Sequence, residues 1–244
     1  MKLNCDMGES FGLWKLGEDE AVMPYLDMAN IACGMHASDP MVMKKTIELA
    51  NQYGVTIGAH PGYPDLQGFG RRTMQMTTAE LESFFVYQLG ALEGLCRSEA
   101  TRIQYVKPHG ALYNTMMKDD AVMCSLLKAL SRFNPQLPLV VMAVPERDHY
   151  LELASDYGVE LFFEAFVDRV YADDGRLTPR TLQGSSHTSI ETIKSQAIQL
   201  IENQSVTSIS GKTLPVVADT LCIHGDGALA RQIATVIRSQ LECV

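Results

Sequence analysis

Short apolar runs punctuate the chain at Lys2–Cys5, Asn30–Cys33, Val55–Ala59, Gln104–Lys107, Leu139–Ala143, Val159–Phe163 and Thr220–Ile223. Each has the length and near-continuous apolarity of a strand covered on both faces. Between them the period lengthens to that of helices. The stripe Leu81, Phe84, Phe85, Leu89, Leu92 marks one buried helical face, and Leu229, Ile233, Val236, Ile237, Leu241 marks another. Start signals accompany the helices: Asp39 caps ahead of Pro40, Thr77 and Glu80 form a capping box, and Thr188 with Glu191 repeats it.

Strand and helix in alternation predict a parallel sheet with right-handed crossovers, hence a seven-stranded parallel α/β barrel. The rhythm breaks once. Between Phe163 and Thr220 one helix, about residues 189–204, precedes a stretch that reads as a β-hairpin turning at Gly211, within residues 205–217. No linker interrupts the chain. Its 244 residues suit one barrel domain, residues 1–244.

Composition narrows the function. A formal charge of −9, with no basic run carrying interleaved aromatics, argues against nucleic acid and anionic membrane as partners. No apolar stretch approaches the roughly 20 residues that cross a bilayer, and Asp6 and Glu9 interrupt the N-terminus before a signal-peptide core can form, so the expected location is the cytoplasm. The six cysteines are scattered, without a C-x-x-C pair, and give neither a disulfide framework nor a structural zinc signature.

Chemistry collects where apolar runs end. Asp6 closes the first run, and His36, His60, His109 and His224 each follow one and precede a tight turn. In parallel α/β proteins these strand ends converge on one face, so the five residues are expected to ring one mouth. Their acid–base chemistry suits hydrolysis; Asp6 with His36 and His60 is also a candidate divalent-metal set, the metal-free alternative using the same groups as general acid and base. His149 and His187 lack this context and read as structural.

The glycine- and proline-rich stretch from Ile57 to Arg72 reads as a loop folded over the mouth, from which Arg71 and Arg72 reach a carboxylate or phosphate; the alternative is pairing with Asp65. A second candidate set, Glu164, Asp168 and Arg169, leaves the sixth run. Lys107 either supports a developing oxyanion or pairs with a neighbouring acid. Two motifs are decoys. Gly211-Lys212-Thr213 lacks the first glycine of a P-loop and opens no helix. The stretch from His224 to Ala230 matches a dinucleotide fingerprint, but no strand with a ribose-binding acid follows.

Six ordered segments resemble the LamB/YcsF family: Leu3–Gly12, Ala29–His36, Gly58–Asp65 with the following GlyPheGlyArgArg, Val106–Asn114, Asp168–Arg180 and Cys222–Asp226. Met35 and Ser38 depart from the family's usual Phe and Gly. The resemblance implies a barrel related to the glycoside hydrolase/deacetylase fold, acting as the A-type component of an ATP-dependent 5-oxoprolinase with two further subunits of B and C type. That enzyme opens 5-oxo-L-proline to L-glutamate while ATP becomes ADP and phosphate. It also implies that Lys107, Arg71, Arg72, Asp168, Arg169 and Asp226 surround the substrate. Because the chain has no recognisable ATP motif, the partners are expected to complete the nucleotide site. Two other classes fit the same residues: a stand-alone metal-dependent deacetylase or amidohydrolase, and a subunit that only captures a small acid.

Overall fold

The computed structural model describes residues 1–224 and 229–242. Seven parallel strands close a barrel in the order β1 (Lys2–Met7), β2 (Met28–Ala32), β3 (Thr56–His60), β4 (Tyr105–Val106), β5 (Leu139–Met142), β6 (Leu161–Phe166) and β9 (Thr220–His224), the last returning to β1. All seven lie on the expected runs, displaced by a few residues at their ends. The expected hairpin is β7 (Ser205–Thr207) with β8 (Thr213–Pro215), antiparallel and outside the barrel. β6 and β9 pair directly, Ala165 opposite Leu221, so the long excursion between them leaves the barrel closed.

The helices are α1 (Asp19–Val22), α2 (Pro40–Tyr53), α3 (Thr78–Ser98), α4 (Gly110–Met116), α5 (Asp120–Phe133), α6 (Arg147–Ser155), α7 (Ile190–Asn203) and α8 (Ala230–Leu241). Asp39 caps α2 by accepting from the N–H groups of Met41 and Val42, with Pro40 in the first helical turn. The Thr77–Glu80 box forms on α3. On α7 the cap is Ser189, which accepts from Thr192 N, instead of Thr188. The expected start is therefore one residue early: Ser189 offers the same hydroxyl chemistry at the position where the backbone is still extended.

Outward-facing strand residues such as Leu3, Cys5, Met7, Ile31 and Ile57 join the helices in the main apolar core. The barrel interior is different. A small apolar cluster, Met28, Tyr105 and Val140 with Phe162 against it, fills one layer. The next layer is polar and buried: Asn4, Asp6, Asn30, Lys107 and Glu164. Gly58 on β3 makes room for Tyr105, whose ring would lie 2.1 Å from a Cβ at that position. The close approach lets the Tyr105 hydroxyl donate to Asn30 Oδ1 at 2.7 Å. No helix among the described residues is long and apolar enough to cross a membrane.

Candidate active site

The polar layer is organised around Lys107. Its Nζ donates to Asp6 Oδ1 at 3.1 Å, Asn4 Oδ1 at 3.2 Å and Cys222 Sγ at 3.1 Å, and lies 2.9 Å from Glu164 Oε2. Asn30 Nδ2 bridges Asn4 Oδ1 and Asp6 Oδ1, both at 2.8 Å. Burial favours the uncharged forms of Lys107 and Asp6, but for these two it loses. Asp6 and Glu164 hold Lys107 well above the usual lysine range against its desolvation, and His60 and Lys107 keep the Asp6 carboxyl well below the carboxylate range. The Cys222 thiol is pushed up, chiefly by burial, and stays protonated. Of the two roles open to Lys107, pairing with neighbouring acids is the one the geometry displays.

Three histidines pack beyond Asp6. His60, the last residue of β3, has Nδ1 2.7 Å from the Lys107 carbonyl oxygen and Nε2 3.4 Å from Asp6 Oδ2. His109, the residue preceding α4, has Nε2 2.8 Å from the Phe69 carbonyl oxygen and Nδ1 3.0 Å from His60 Nε2. A carbonyl only accepts, so both far nitrogens carry the proton. His36 stacks on His109 with centroids 3.7 Å apart. Burial, then the other imidazoles, holds both His36 and His109 well below the usual histidine value, and so neutral. Gly70 (φ +62°) lets the loop pack directly on these rings: a Cβ there would meet His36 Cβ at 2.7 Å and His109 Cδ2 at 2.9 Å.

Opposite them, His224 ends β9. Its Nδ1 donates to Asp168 Oδ2 at 2.7 Å while Nε2 accepts from Arg180 Nη2 at 2.7 Å. Because an arginine always donates, Nε2 serves as the acceptor and Nδ1 carries a proton. His224 holds the Asp168 carboxylate below its ordinary value despite burial.

Between the two groups lies a cavity of about 480 Å³, lined by Asp6, Glu9, His60, His109 and His224 with Arg71, Lys118, Arg169 and Arg180 among the cations. The size suits a small molecule. His36, 1 % exposed, sits behind this lining instead of in it. Arg71 lines the cavity, whereas Arg72 makes a bidentate pair with Asp65, whose carboxyl falls to about 2 through that contact. Arg169 reaches the cavity but is anchored on the carbonyls of Ser185 and Thr178; burial lowers it to about 10, still protonated at neutral pH. Asp226 lies outside the described residues. His149 pairs with Asp120 and His187 with Gln196, as structural histidines.

The metal candidates regroup. Asp6 gives Oδ1 to Lys107 and Asn30, and the set whose ligand atoms converge is Glu9, His36, His60 and His109. Glu9 escapes the pattern of run-end residues because it leaves β1 after the left-handed Gly8 (φ +68°) instead of ending an apolar run. Arg180 escapes it too, since it belongs to a long irregular segment.

The LamB/YcsF family model matches residues 1–243. The chain belongs to that family. Relatives include the 5-oxoprolinase A subunit of Vibrio campbellii, 53% identical over 99% of this chain and 95% of the relative, and that of Chromohalobacter salexigens, 50% identical over 98% and 96%. Among solved structures, the lactam utilization protein of Thermus thermophilus, 38% identical, superimposes with a TM-score of 0.91 over 100% of this chain and 96% of that one. A more distant fold match, a putative cellobiose-phosphate cleavage protein from Enterococcus faecalis V583, has a TM-score of 0.56 at 14% identity over 98% and 90%. The LamB/YcsF motifs that carried the resemblance are those that build the layers around Lys107 and the histidines.

Proposed function

We propose that this chain is the A subunit of a 5-oxoprolinase and houses, in its single barrel domain, the site where 5-oxo-L-proline is opened to L-glutamate with hydrolysis of ATP to ADP and phosphate. The observation that carries this reading is the cavity itself. It joins oriented histidines to a cationic rim, in a chain about half identical, over nearly its whole length, to proteins named as 5-oxoprolinase A subunits. A rim of Arg71, Arg169 and Arg180 suits an anionic small molecule, and the 5-oxo-L-proline carboxylate is such a group.

A lactam carbonyl is a poor electrophile. Transfer of a phosphoryl group from ATP to its oxygen makes the carbon attackable and leaves ADP. Water then adds to that carbon and the C–N bond breaks, the nitrogen taking a proton; a second water releases phosphate from the resulting acyl phosphate. His224, oriented by Asp168, presents Nε2 as a base once the substrate draws Arg180 away. His60 and His109 line the cavity away from His224, Asp6 sits beside His224 on the neighbouring strand, and the proton delivered to the leaving nitrogen passes through this set. Lys107 fixes Asp6 and contributes positive charge beneath it. Two further subunits, of B and C type, supply the nucleotide site, and the assembly works in the cytoplasm.

The test is glutamate release from 5-oxo-L-proline by the purified chain, alone and with both partner subunits, with and without ATP. Release that requires partners and ATP supports the assignment. ATP-independent hydrolysis by the chain alone refutes it in favour of a stand-alone amidohydrolase, and tight ligand binding with no effect of His224 or Asp168 substitution on turnover refutes the catalytic role.

A further inference from the structure

The facing nitrogens of His60 and His109 pose a chemical problem. Each ring commits its far N–H to a backbone carbonyl, His60 to Lys107 O at 2.7 Å and His109 to Phe69 O at 2.8 Å. Their near nitrogens lie 3.0 Å apart, and without a proton between them both are lone pairs. Two acceptors at that distance repel unless a positive centre lies between or beside them. A proton shared along that line would satisfy these two atoms. It leaves the third ring unexplained: His36 is 1 % exposed, and neither of its nitrogens has a hydrogen-bond partner among the described residues. Glu9 Oε1 converges on the same point, 3.7 Å from His109 Nδ1 and 3.9 Å from His36 Nε2. One atom from each of Glu9, His36, His60 and His109 falls within 4.8 Å of the others.

We propose that these four residues form a binding site for one first-row divalent cation of the zinc type, with His60 Nε2, His109 Nδ1 and Glu9 Oε1 as the principal ligands. Imidazole with one carboxylate is a borderline donor set that selects such ions over Mg²⁺ and Ca²⁺. The carbonyls of Lys107 and Phe69 play the part of the outer partners that fix a ligating imidazole's tautomer and aim its lone pair. His36 is the weakest of the four. Its ring is nearly parallel to that of His109, at 4°, so a cation in the plane of one ring lies out of the plane of the other. The site opens on the catalytic cavity, which Glu9, His60 and His109 line, and would there polarise a substrate oxygen or a water. That catalytic use rests on the proposed function; the binding does not.

The experiment uses the full purified chain, stripped with chelator and titrated with Zn²⁺, Co²⁺ and Mg²⁺ by calorimetry, with the Co²⁺ visible spectrum as a second readout. The expected result is one Zn²⁺ per chain, a Co²⁺ absorption typical of imidazole ligation, and no stoichiometric Mg²⁺. His109→Gln, His60→Gln and Glu9→Gln should each weaken Zn²⁺ by about 100-fold or more, beyond the loss seen when an outer partner of a ligand is removed, and His36→Gln should weaken it less. The Co²⁺ spectrum of the unsubstituted chain keeps the test decisive where a buried substitution prevents folding. Absence of stoichiometric Zn²⁺ and Co²⁺ binding by folded chain, leaving a shared proton alone, overturns the proposal, as does binding that survives the His60 and His109 substitutions. Because binding is read without partners, ATP or turnover, its failure is separate from failure of the oxoprolinase assignment.

Discussion

Lys107→Met tests the electrostatic reasoning at the centre of the barrel. Lys107 is 3 % exposed, and its ammonium is shared by Asp6 and by Glu164, itself 0 % exposed. Methionine keeps most of the volume and removes the charge, so the loss is chiefly that of stranding two buried carboxylates. Removing one partner of a buried ion pair costs about 3–5 kcal/mol, which for a chain of this size lowers the thermal midpoint by about 6–20 °C at about 2–4 °C per kcal/mol. The measurement is urea and thermal unfolding followed by circular dichroism. Stranded carboxylates take up protons on folding, so the folded state then binds more protons than the unfolded one and stability falls as pH rises. The deficit should therefore be larger at pH 8 than at pH 5. In the unsubstituted protein the raised Lys107 keeps its contribution in full up to the unfolded lysine value of about 10.4, losing it only as pH climbs through the higher folded value. Adding Glu164→Gln to Lys107→Met removes one stranded charge and should recover at least about 1 kcal/mol, a coupling expected of contacting residues. A single variant within about 1 kcal/mol of the parent, or a double variant no better than the single, refutes the account.

Arg180→Gln should raise the KM for 5-oxo-L-proline about tenfold or more in the reconstituted complex, by loss of a charge-assisted contact of about 1.5–3 kcal/mol; because Arg180 is exposed, its unfolding midpoint should barely move, and an unchanged KM removes it from the substrate contacts. Asp168→Asn leaves His224 in place but takes away the carboxylate facing Nδ1; turnover should fall about 100-fold or more with little change in KM, as for loss of an oriented base, and parental turnover excludes the pair from proton transfer. Arg72→Gln should lower the thermal midpoint at pH 7. Asp65 is depressed to about 2 mainly by Arg72, so that contribution is present above the unfolded aspartate value of about 3.9 and disappears as pH falls through the folded one. Midpoints of the two proteins that do not converge between pH 4 and pH 2 contradict this pairing.

The frame was legible because apolar runs and helical stripes report covered strands and buried helix faces. The ends of those runs correctly brought Asp6, His60, His109 and His224 to one cavity. What the runs concealed is their inner face. Asn4 with Asp6, and Lys107 across from them, alternate with residues packed under helices, and two polar positions spaced by two inside an apolar strand are the trace that a polar interior leaves in the sequence. His36 shows the limit of the rule: it follows β2 like the others but is folded behind the cavity wall, stacked on His109. Glu9 and Arg180 are placed by loops, whose course is set by tertiary contacts such as Gly8 on Thr46 and Arg180 on His224, and periodicity carries no information about those.

The direct pairing of β6 with β9 separates two kinds of evolutionary freedom. Residues between those strands, including Thr178 and Arg180 at the cavity, belong to a segment that contributes no strand to the barrel. Changes there can reshape what enters the cavity while the closed sheet, the buried lysine and the stacked imidazoles keep their positions. Divergence in substrate should therefore concentrate at cavity positions of this segment that lie outside the shared motif residues, such as Leu177, Thr178 and Thr181, leaving the barrel as a chassis inherited almost unaltered.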